Sequence, residues 1–243
     1  SIYRGDDPDT TGIFYCNGYV YYVVADDGSK RMGLYRVADD GSGRECVYSW
    51  PEGTGVFANW IVHRDVMYYS ARIYEMGDDG EIATDRFEVF SLDLTDRFAE
   101  PESIYTTEED ILVWEVAEFC AYGNHVYFRP QGTYRQSEED GDERLFQTSY
   151  EYDTEKKTVS AIPLPDGITE EQGRVDVCTF WEGRLLFKIY SEDKELTDTT
   201  DVYIADLDGS NASVFMEDVV QGKCMQTDGK YVYLSNGMVF WDL

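Results

Sequence analysis

Apolar and aromatic residues occur in short runs along the chain, each bounded by polar turns. One run returns five times: Tyr19-Val-Tyr-Tyr-Val-Val24, Asp65-Val-Met-Tyr-Tyr-Ser70, His125-Val-Tyr-Phe128, Arg184-Leu-Leu-Phe-Lys-Ile189 and Tyr231-Val-Tyr-Leu234. Four copies follow a turn containing Gly (Asn17-Gly18, Gly123-Asn124, Glu182-Gly183 and Asp228-Gly229), and the second uses His63-Arg64. A β-like run precedes the turn, as in Gly12–Cys16, Phe119–Tyr122 and Val175–Phe180. Each unit therefore opens with a predicted hairpin, strands A and B. Third strands C follow at Gly33–Val37, Phe87–Leu92, Leu145–Tyr150, Val202–Ala205 and Met238–Trp241. Shorter fourth strands D follow at Cys46–Trp50, Ser103–Thr107, Thr158–Ile162 and Ser213–Met216. Apolar residues nowhere hold helical spacing for three turns; Glu108–Val116 reads as one short segment between strands.

Four short antiparallel strands per unit, repeated at this period, predict an all-β fold: a five-bladed β-propeller formed as one domain over residues 1–243. The expected blades are 12–50, 56–107, 116–163, 174–217, and 221–243 plus 1–4. The last unit lacks a fourth strand, and Ser1-Ile-Tyr-Arg4 resembles Ser103-Ile-Tyr-Thr106. We expect this N-terminal strand to complete the last blade and close the ring, covering edges that invite aggregation. Because the chain opens at Ser1 and not at Met, a piece of a longer propeller is the alternative.

Composition narrows the function classes. There are 49 Asp and Glu against 20 Lys and Arg, a net charge of −29, so the clustered cations that phosphate recognition needs are missing and nucleic acid is disfavoured as a partner. The longest apolar stretch, Tyr19–Ala25, is far too short to span a bilayer as a helix. With 42% hydrophobic and 15% aromatic residues, the chain is too apolar for an acidic disordered tail.

The segments Tyr19–Val24, Leu34–Ser42 and Tyr203–Ser210, a Gly turn with Val-Tyr-Tyr and then Leu-Tyr-Arg-x-x-x-Asp-Gly-Ser, resemble the acidic, tyrosine-rich extracellular β-propellers of gut Firmicutes. Those families are of unknown function and distantly related to TolB-like and YWTD-type propellers. The resemblance implies a lipoprotein-like or membrane-anchored ectodomain at the bacterial cell surface. It identifies no active site.

Candidate chemistry is sparse. The Asp-Gly clusters, among them Asp26-Asp27-Gly28, Asp39-Asp40-Gly41 and Asp206-Leu-Asp208-Gly209, read first as turns. Calcium at Asp206 and Asp208 is the competing reading, weakened because the Gly at the sixth position of an EF-hand loop is missing; no other cofactor is expected. Five widely spaced cysteines, four of them in A strands, read as small buried residues. His63 and His125 read as turn or surface residues. Glu115, Glu118 and Asp176 sit at or just before A strands, where a five-bladed glycosidase would place its acid and base. The polar B–C connections Ala71–Arg86, Arg129–Arg144 and Tyr190–Asp201 are long, as are the D–A connections Glu108–Val116 and Pro163–Arg174. In a propeller both sets share one face, where recognition resides. Trp50, Tyr74, Trp114, Tyr134 and Tyr190 are the expected ligand-binding aromatics there, suited to a sugar, a cation or a basic protein surface. A non-catalytic binding or sensing propeller with a protein or carbohydrate ligand is the favoured reading. A carboxylate-based glycoside hydrolase and a calcium-stabilised structural domain are the alternatives.

Overall fold

The computed structural model describes residues 10–26, 31–52, 54–76, 82–108, 111–134, 145–146, 148–168, 174–181, 183–190, 198–220, 224–227 and 232–235. Among them every regular element is a strand. The first sheet contains β1 (Thr10–Cys16), β2 (Tyr19–Asp26), β3 (Arg31–Ala38) and β4 (Glu45–Ser49), paired antiparallel in that order. The second repeats the meander with β5 (Thr54–His63), β6 (Val66–Met76), β7 (Ile82–Asp93) and β8 (Glu102–Thr106). In the third, β9 (Ile111–Tyr122) pairs with β10 (His125–Tyr134); the C position is split into β11 (Leu145–Phe146) and β12 (Tyr150–Asp153), and β13 (Thr158–Ala161) closes the edge. The fourth holds β14 (Arg174–Trp181), β15 (Arg184–Tyr190), β16 (Thr199–Ala205) and β17 (Ser213–Val220). β18 (Cys224–Thr227) and β19 (Val232–Ser235) form a two-stranded ladder.

Four sheets of blade size are thus described where five were expected, the fifth being only a hairpin. Ser1–Arg4 and Met238–Leu243, on which ring closure was argued, lie outside the described residues. Two other expectations change. Ile111–Val116 is the first half of strand β9, not a segment between strands, and the expected third strand Leu145–Tyr150 is interrupted after Phe146.

Turn chemistry explains the hairpins. Asn17 and Gly18 both take positive φ (48° and 78°), the geometry of the tight turn whose twist matches its flanking strands. The second hairpin reaches the same geometry without glycine, at Arg64 and Asp65 (φ 51° and 64°), one residue later than the sequence suggested. Its strain is offset by ties to the neighbouring sheet and strand: Asn17 Nδ2 donates to Asp65 Oδ1 (2.6 Å), and the Leu94 N–H donates to the Asp65 carbonyl (2.9 Å). The Asp-rich C–D turns cap themselves, with Asp40, Asp93, Asp153 and Asp208 each accepting backbone N–H groups two or three residues ahead.

Asp153 also takes Lys156 Nζ at 2.7 Å, and this contact, with the turn N–H groups, pulls its carboxyl down to about 2. A carboxyl lowered in the folded state stabilises the fold above its unfolded value of about 3.9, and that contribution disappears as pH falls toward about 2. Asp153→Asn is therefore expected to flatten the acid limb of the stability–pH curve between about pH 4 and pH 2; urea midpoints across that window check it, and an unchanged limb refutes the contact.

The chain divides into two compact units, residues 1–116 with 131–146, and 117–130 with 147–243. In the first, alternate residues of β2 serve different cores. Tyr21 and Val23 join Leu34, Trp50, Met67, Tyr69, Ala71, Leu92 and Leu94 between the first two sheets. Tyr22 and Val24 pack with Val37 and Tyr35 on the other face. Both faces are buried, so aromatic residues occupy both strand parities. Phe14 stacks on Tyr21 (4.9 Å, 2°) and meets Trp60 edge-on (6.0 Å), the offset arrangements that aromatic pairs prefer. In the second unit, Leu186, Val202, Ile204 and Val219 form one core, and Tyr127 meets Leu185 across the third and fourth sheets.

The sheet-to-sheet contact recurs in both units. At the A–B end, Asn17 reaches the Asp65 turn, and the Tyr122 ring lies against Gly183, where an added Cβ would be 3.4 Å away. At the outer edge, burial and then Glu100, in the following sheet's C–D turn, push the Tyr48 phenol up. In the second unit, the Asp166 N–H donates to the Gly209 carbonyl in the following sheet's C–D turn (2.9 Å). The first sheet thus leans on the second, and the third on the fourth, at the same two places. Leu164–Asp166, expected at the B–C end, instead lies against this C–D turn.

Candidate functional site

The B–C ends of the sheets carry most of the residues singled out from the sequence, and their backbone differs from the loops expected there. Ala71–Arg86 is largely strand. β6 and β7 stay paired from Val66↔Asp93 to Met76↔Ile82, with a register shift at Glu75/Met76. β5 pairs no further along β6 than Ile73, and β8 no further along β7 than Glu88. The sheet therefore narrows from four strands to a two-stranded ribbon at Tyr74–Met76. Glu88, only 7% exposed, anchors the base of the ribbon by accepting Arg86 Nε and Ser103 Oγ, each at 2.6 Å. Arg72 lays its guanidinium over the half-buried Tyr74 ring at 5.3 Å. The third sheet repeats the device: β10 continues to Tyr134, and β11 pairs with its Gly132 and Thr133. Residues 135–144 and 191–197, the rest of the two other expected loops, lie outside the described residues.

The predicted site residues divide sharply. Trp50 is a core residue, 2% exposed: it donates its indole N–H to Tyr69 Oη (2.9 Å) and packs edge-on to Tyr48 and Tyr69. That burial removes it from the expected exposed aromatics. Tyr74 lies on the ribbon. Trp114 in β9 and Tyr134 at the end of β10 are brought by the antiparallel pairing to the same end of the third sheet. Tyr190 ends β15, paired with Arg174. Glu115 and Glu118 lie on β9, and Asp176 on β14. The side chains of Trp114, Tyr134, Tyr190, Glu115, Glu118 and Asp176 lie outside the described residues.

Two residues escaped the sequence reading. Arg129 and Lys188 are cations buried to 4% and 7% exposure. Both occupy the fifth position after the A–B turn, filled by Val23 and Ser70 (each 0% exposed) in the first two sheets. An inward position that changes from apolar to charged between repeats was the available signal. Backbone pairing sets Lys188 opposite Asp176. A buried cation requires a compensating group.

Asp206 and Asp208 behave as turn residues. Asp206 accepts Asn211 Nδ2 (2.6 Å) and Arg184 Nε (2.8 Å), and these contacts, Asn211 first, lower its carboxyl below the usual range. Asp208 accepts the Ser210 N–H (3.0 Å). Among the described residues, no three His, Cys, Asp or Glu side chains gather as a metal site. Cys16 and Cys120 are half-buried cysteines outside any disulfide, and Cys46 is exposed. Burial, then Asp65, pushes the Cys16 thiol up, away from nucleophilic use. His125 contacts Glu151 through Nδ1. Among the described residues no helix is long and apolar enough to cross a membrane.

No known protein family matches the chain, and no curated protein sequence matches it. Solved structures do. The β-propeller domain of the Trilobed protease from Pyrococcus furiosus, described as having an open velcro topology, matches 93% of this chain and 62% of its own at 10% identity and a TM-score of 0.56. Oligogalacturonate lyase from Vibrio parahaemolyticus matches 95% of this chain and 60% of its own, at 13% identity and a TM-score of 0.57. TolB from Acinetobacter baumannii matches 90% of this chain and 50% of its own at 13% identity, but its TM-score of 0.42 is too low to argue from. The chain thus spans between half and two thirds of the length of these structures. At such identities the likeness establishes the fold alone, and that fold is the β-propeller.

Proposed function

We propose that the chain is a non-catalytic binding module, displayed outside a bacterial cell, that recognises a protein or carbohydrate at the B–C end of its sheets. In this reading the sheets are blades of a five-bladed ring, and Ser1–Arg4 supply the outer strand of the last blade. One observation carries the choice of surface: the β6–β7 ribbon, which continues past both neighbouring strands and holds Arg72 over Tyr74. A paired ribbon fixes its side chains at far lower entropic cost than an irregular loop, which favours recognition. Backbone placement of Trp114 and Tyr134 at the corresponding end of the third sheet supports the same surface.

A glycan array followed by calorimetry tests this reading. Tyr74→Ala is expected to weaken the best-binding glycan about tenfold, the equivalent of about 1.4 kcal/mol, with melting temperature unchanged. Equal affinity in the variant refutes the ribbon as the contact. Turnover of the glycan, lost in Asp176→Asn, would convert the reading to a hydrolase. Calcium is expected to leave the melting temperature unmoved, because Asp206 and Asp208 already accept hydrogen bonds within the protein; a rise would establish a calcium-stabilised domain.

A further inference from the structure

Of the chain's five asparagines, Asn17 and Asn236 precede glycine, and Asn236 lies outside the described residues. Asn59, Asn124 and Asn211 precede Trp60, His125 and Ala212, residues whose side chains hinder attack by their own backbone nitrogen. Asn17 is exposed at the tip of the β1–β2 hairpin, and a Cβ built on Gly18 would meet nothing within 4 Å. Water therefore reaches the Asn17 amide, and Gly18 has no side chain to shield its nitrogen. The same amide is a structural tie. Asn17 Nδ2 donates to Asp65 Oδ1 at 2.6 Å, and Cys16 Sγ approaches that oxygen at 3.5 Å. Asp65 sits in the tip of the β5–β6 hairpin at φ 64°, beside Arg64 at φ 51°, so the acceptor is itself held in a strained turn.

We propose that Asn17 is a site of spontaneous chemical modification whose rate Asp65 sets. The Gly18 nitrogen attacks Asn17 Cγ, and the new bond closes a five-membered succinimide as the bond from Cγ to Nδ2 breaks. Nδ2 leaves as ammonia, carrying the proton that Gly18 gives up. Water then opens the ring at either carbonyl, yielding aspartate or isoaspartate, with no oxidant or cofactor involved. The first step requires the amide to swing from Asp65 towards Gly18, so the Asp65 hydrogen bond stands as a barrier to it. The change undoes the tie. The product carboxylate has no N–H to donate and faces the Asp65 carboxylate, and isoaspartate adds a methylene to the main chain inside a two-residue turn. Either product unfastens the first sheet from the second at this end. Asn17 and Asp65 lie at the end of the sheets opposite the β6–β7 ribbon, so the inference is independent of the binding reading.

Incubation of the full chain at mildly alkaline pH, followed by peptide mapping by mass spectrometry, tests it. Asn17 is expected to convert to a mixture of aspartate and isoaspartate, with the urea midpoint of the protein falling as it does so. Asp65→Gly suits the φ of 64° and removes the acceptor; it is expected to convert about tenfold faster than wild type. Asn17→Gly keeps a pair of residues that favours the turn but has no amide, so its urea midpoint is expected to hold through the same incubation. Should Asp65→Gly unfold, as circular dichroism would report, Asp65→Asn tolerates the same φ without the charge and is likewise expected to convert faster than wild type. Survival of the Asn17 amide through an incubation that converts it in the urea-unfolded chain would overturn the proposal. So would a folded Asp65 variant that converts at the wild-type rate, or an Asn17→Gly midpoint that falls as far as that of wild type.

Discussion

Replacing Trp50 with alanine is expected to remove about 3 to 5 kcal/mol of folding stability, a fall in melting temperature of roughly 6 to 20 °C. Two losses combine. The indole is 2% exposed and packs edge-on against Tyr48 and Tyr69, so its removal empties a large volume between the first two sheets. Its N–H also donates to Tyr69 Oη at 2.9 Å, and burial already pushes that phenol strongly up, a sign that the hydroxyl is poorly solvated. Alanine leaves the hydroxyl without this partner, at a cost of about 1 to 3 kcal/mol within the total. Trp50→Phe separates the terms, because it refills much of the volume but restores no donor. Thermal and urea denaturation of both variants gives the comparison. A Trp50→Ala melting temperature within about 2 °C of wild type would show that the indole is not structural and would return it to the ligand-binding aromatics.

The Trp50 result also shows where sequence reasoning stops. Hairpins were legible because their signals are local: Asn17-Gly18 can hardly adopt another turn between two Val/Tyr runs, and four turns containing Gly, each followed by such a run, define a repeat. Whether the aromatic after β4 faces solvent or the next sheet depends on a partner, Tyr69, that lies 19 residues away. The ribbon was illegible for a different reason. The two-stranded extension runs past its neighbouring strands, and polar residues such as Glu75 and Asp85 in its sequence break the alternation that marks a half-buried strand. Arg129 and Lys188 were hidden because a cation in a strand reads as outward-facing until the repeat alignment shows Val23 and Ser70 in the same place. Turn carboxylates such as Asp208 were legible, since their acceptor role is satisfied two residues away.

Gly209→Ala is expected to cost roughly 2 to 3 kcal/mol, and the comparison with Gly18→Ala shows why. Both glycines hold positive φ, +83° and +78°, so alanine at either position meets the same backbone strain of about 1 kcal/mol. Their surroundings differ. Nothing lies within 4 Å of a Cβ built at Gly18, whereas at Gly209 it would come 3.1 Å from the Leu164 carbonyl oxygen and 3.4 Å from Pro165 Cα. Backbone cannot rotate aside as a flexible side chain does. The Leu164–Asp166 segment is also held close by the Asp166 N–H to Gly209 carbonyl hydrogen bond of 2.9 Å, so relieving the contact stretches that bond. The excess of Gly209→Ala over Gly18→Ala therefore measures how tightly the chain leaving the third sheet is fastened to the fourth. Matched urea titrations give it directly. Equal losses in the two variants would mean that this fastening is absent and that the two sheets are joined through other contacts, such as those of Tyr127 with Leu185 and of Tyr122 with Gly183.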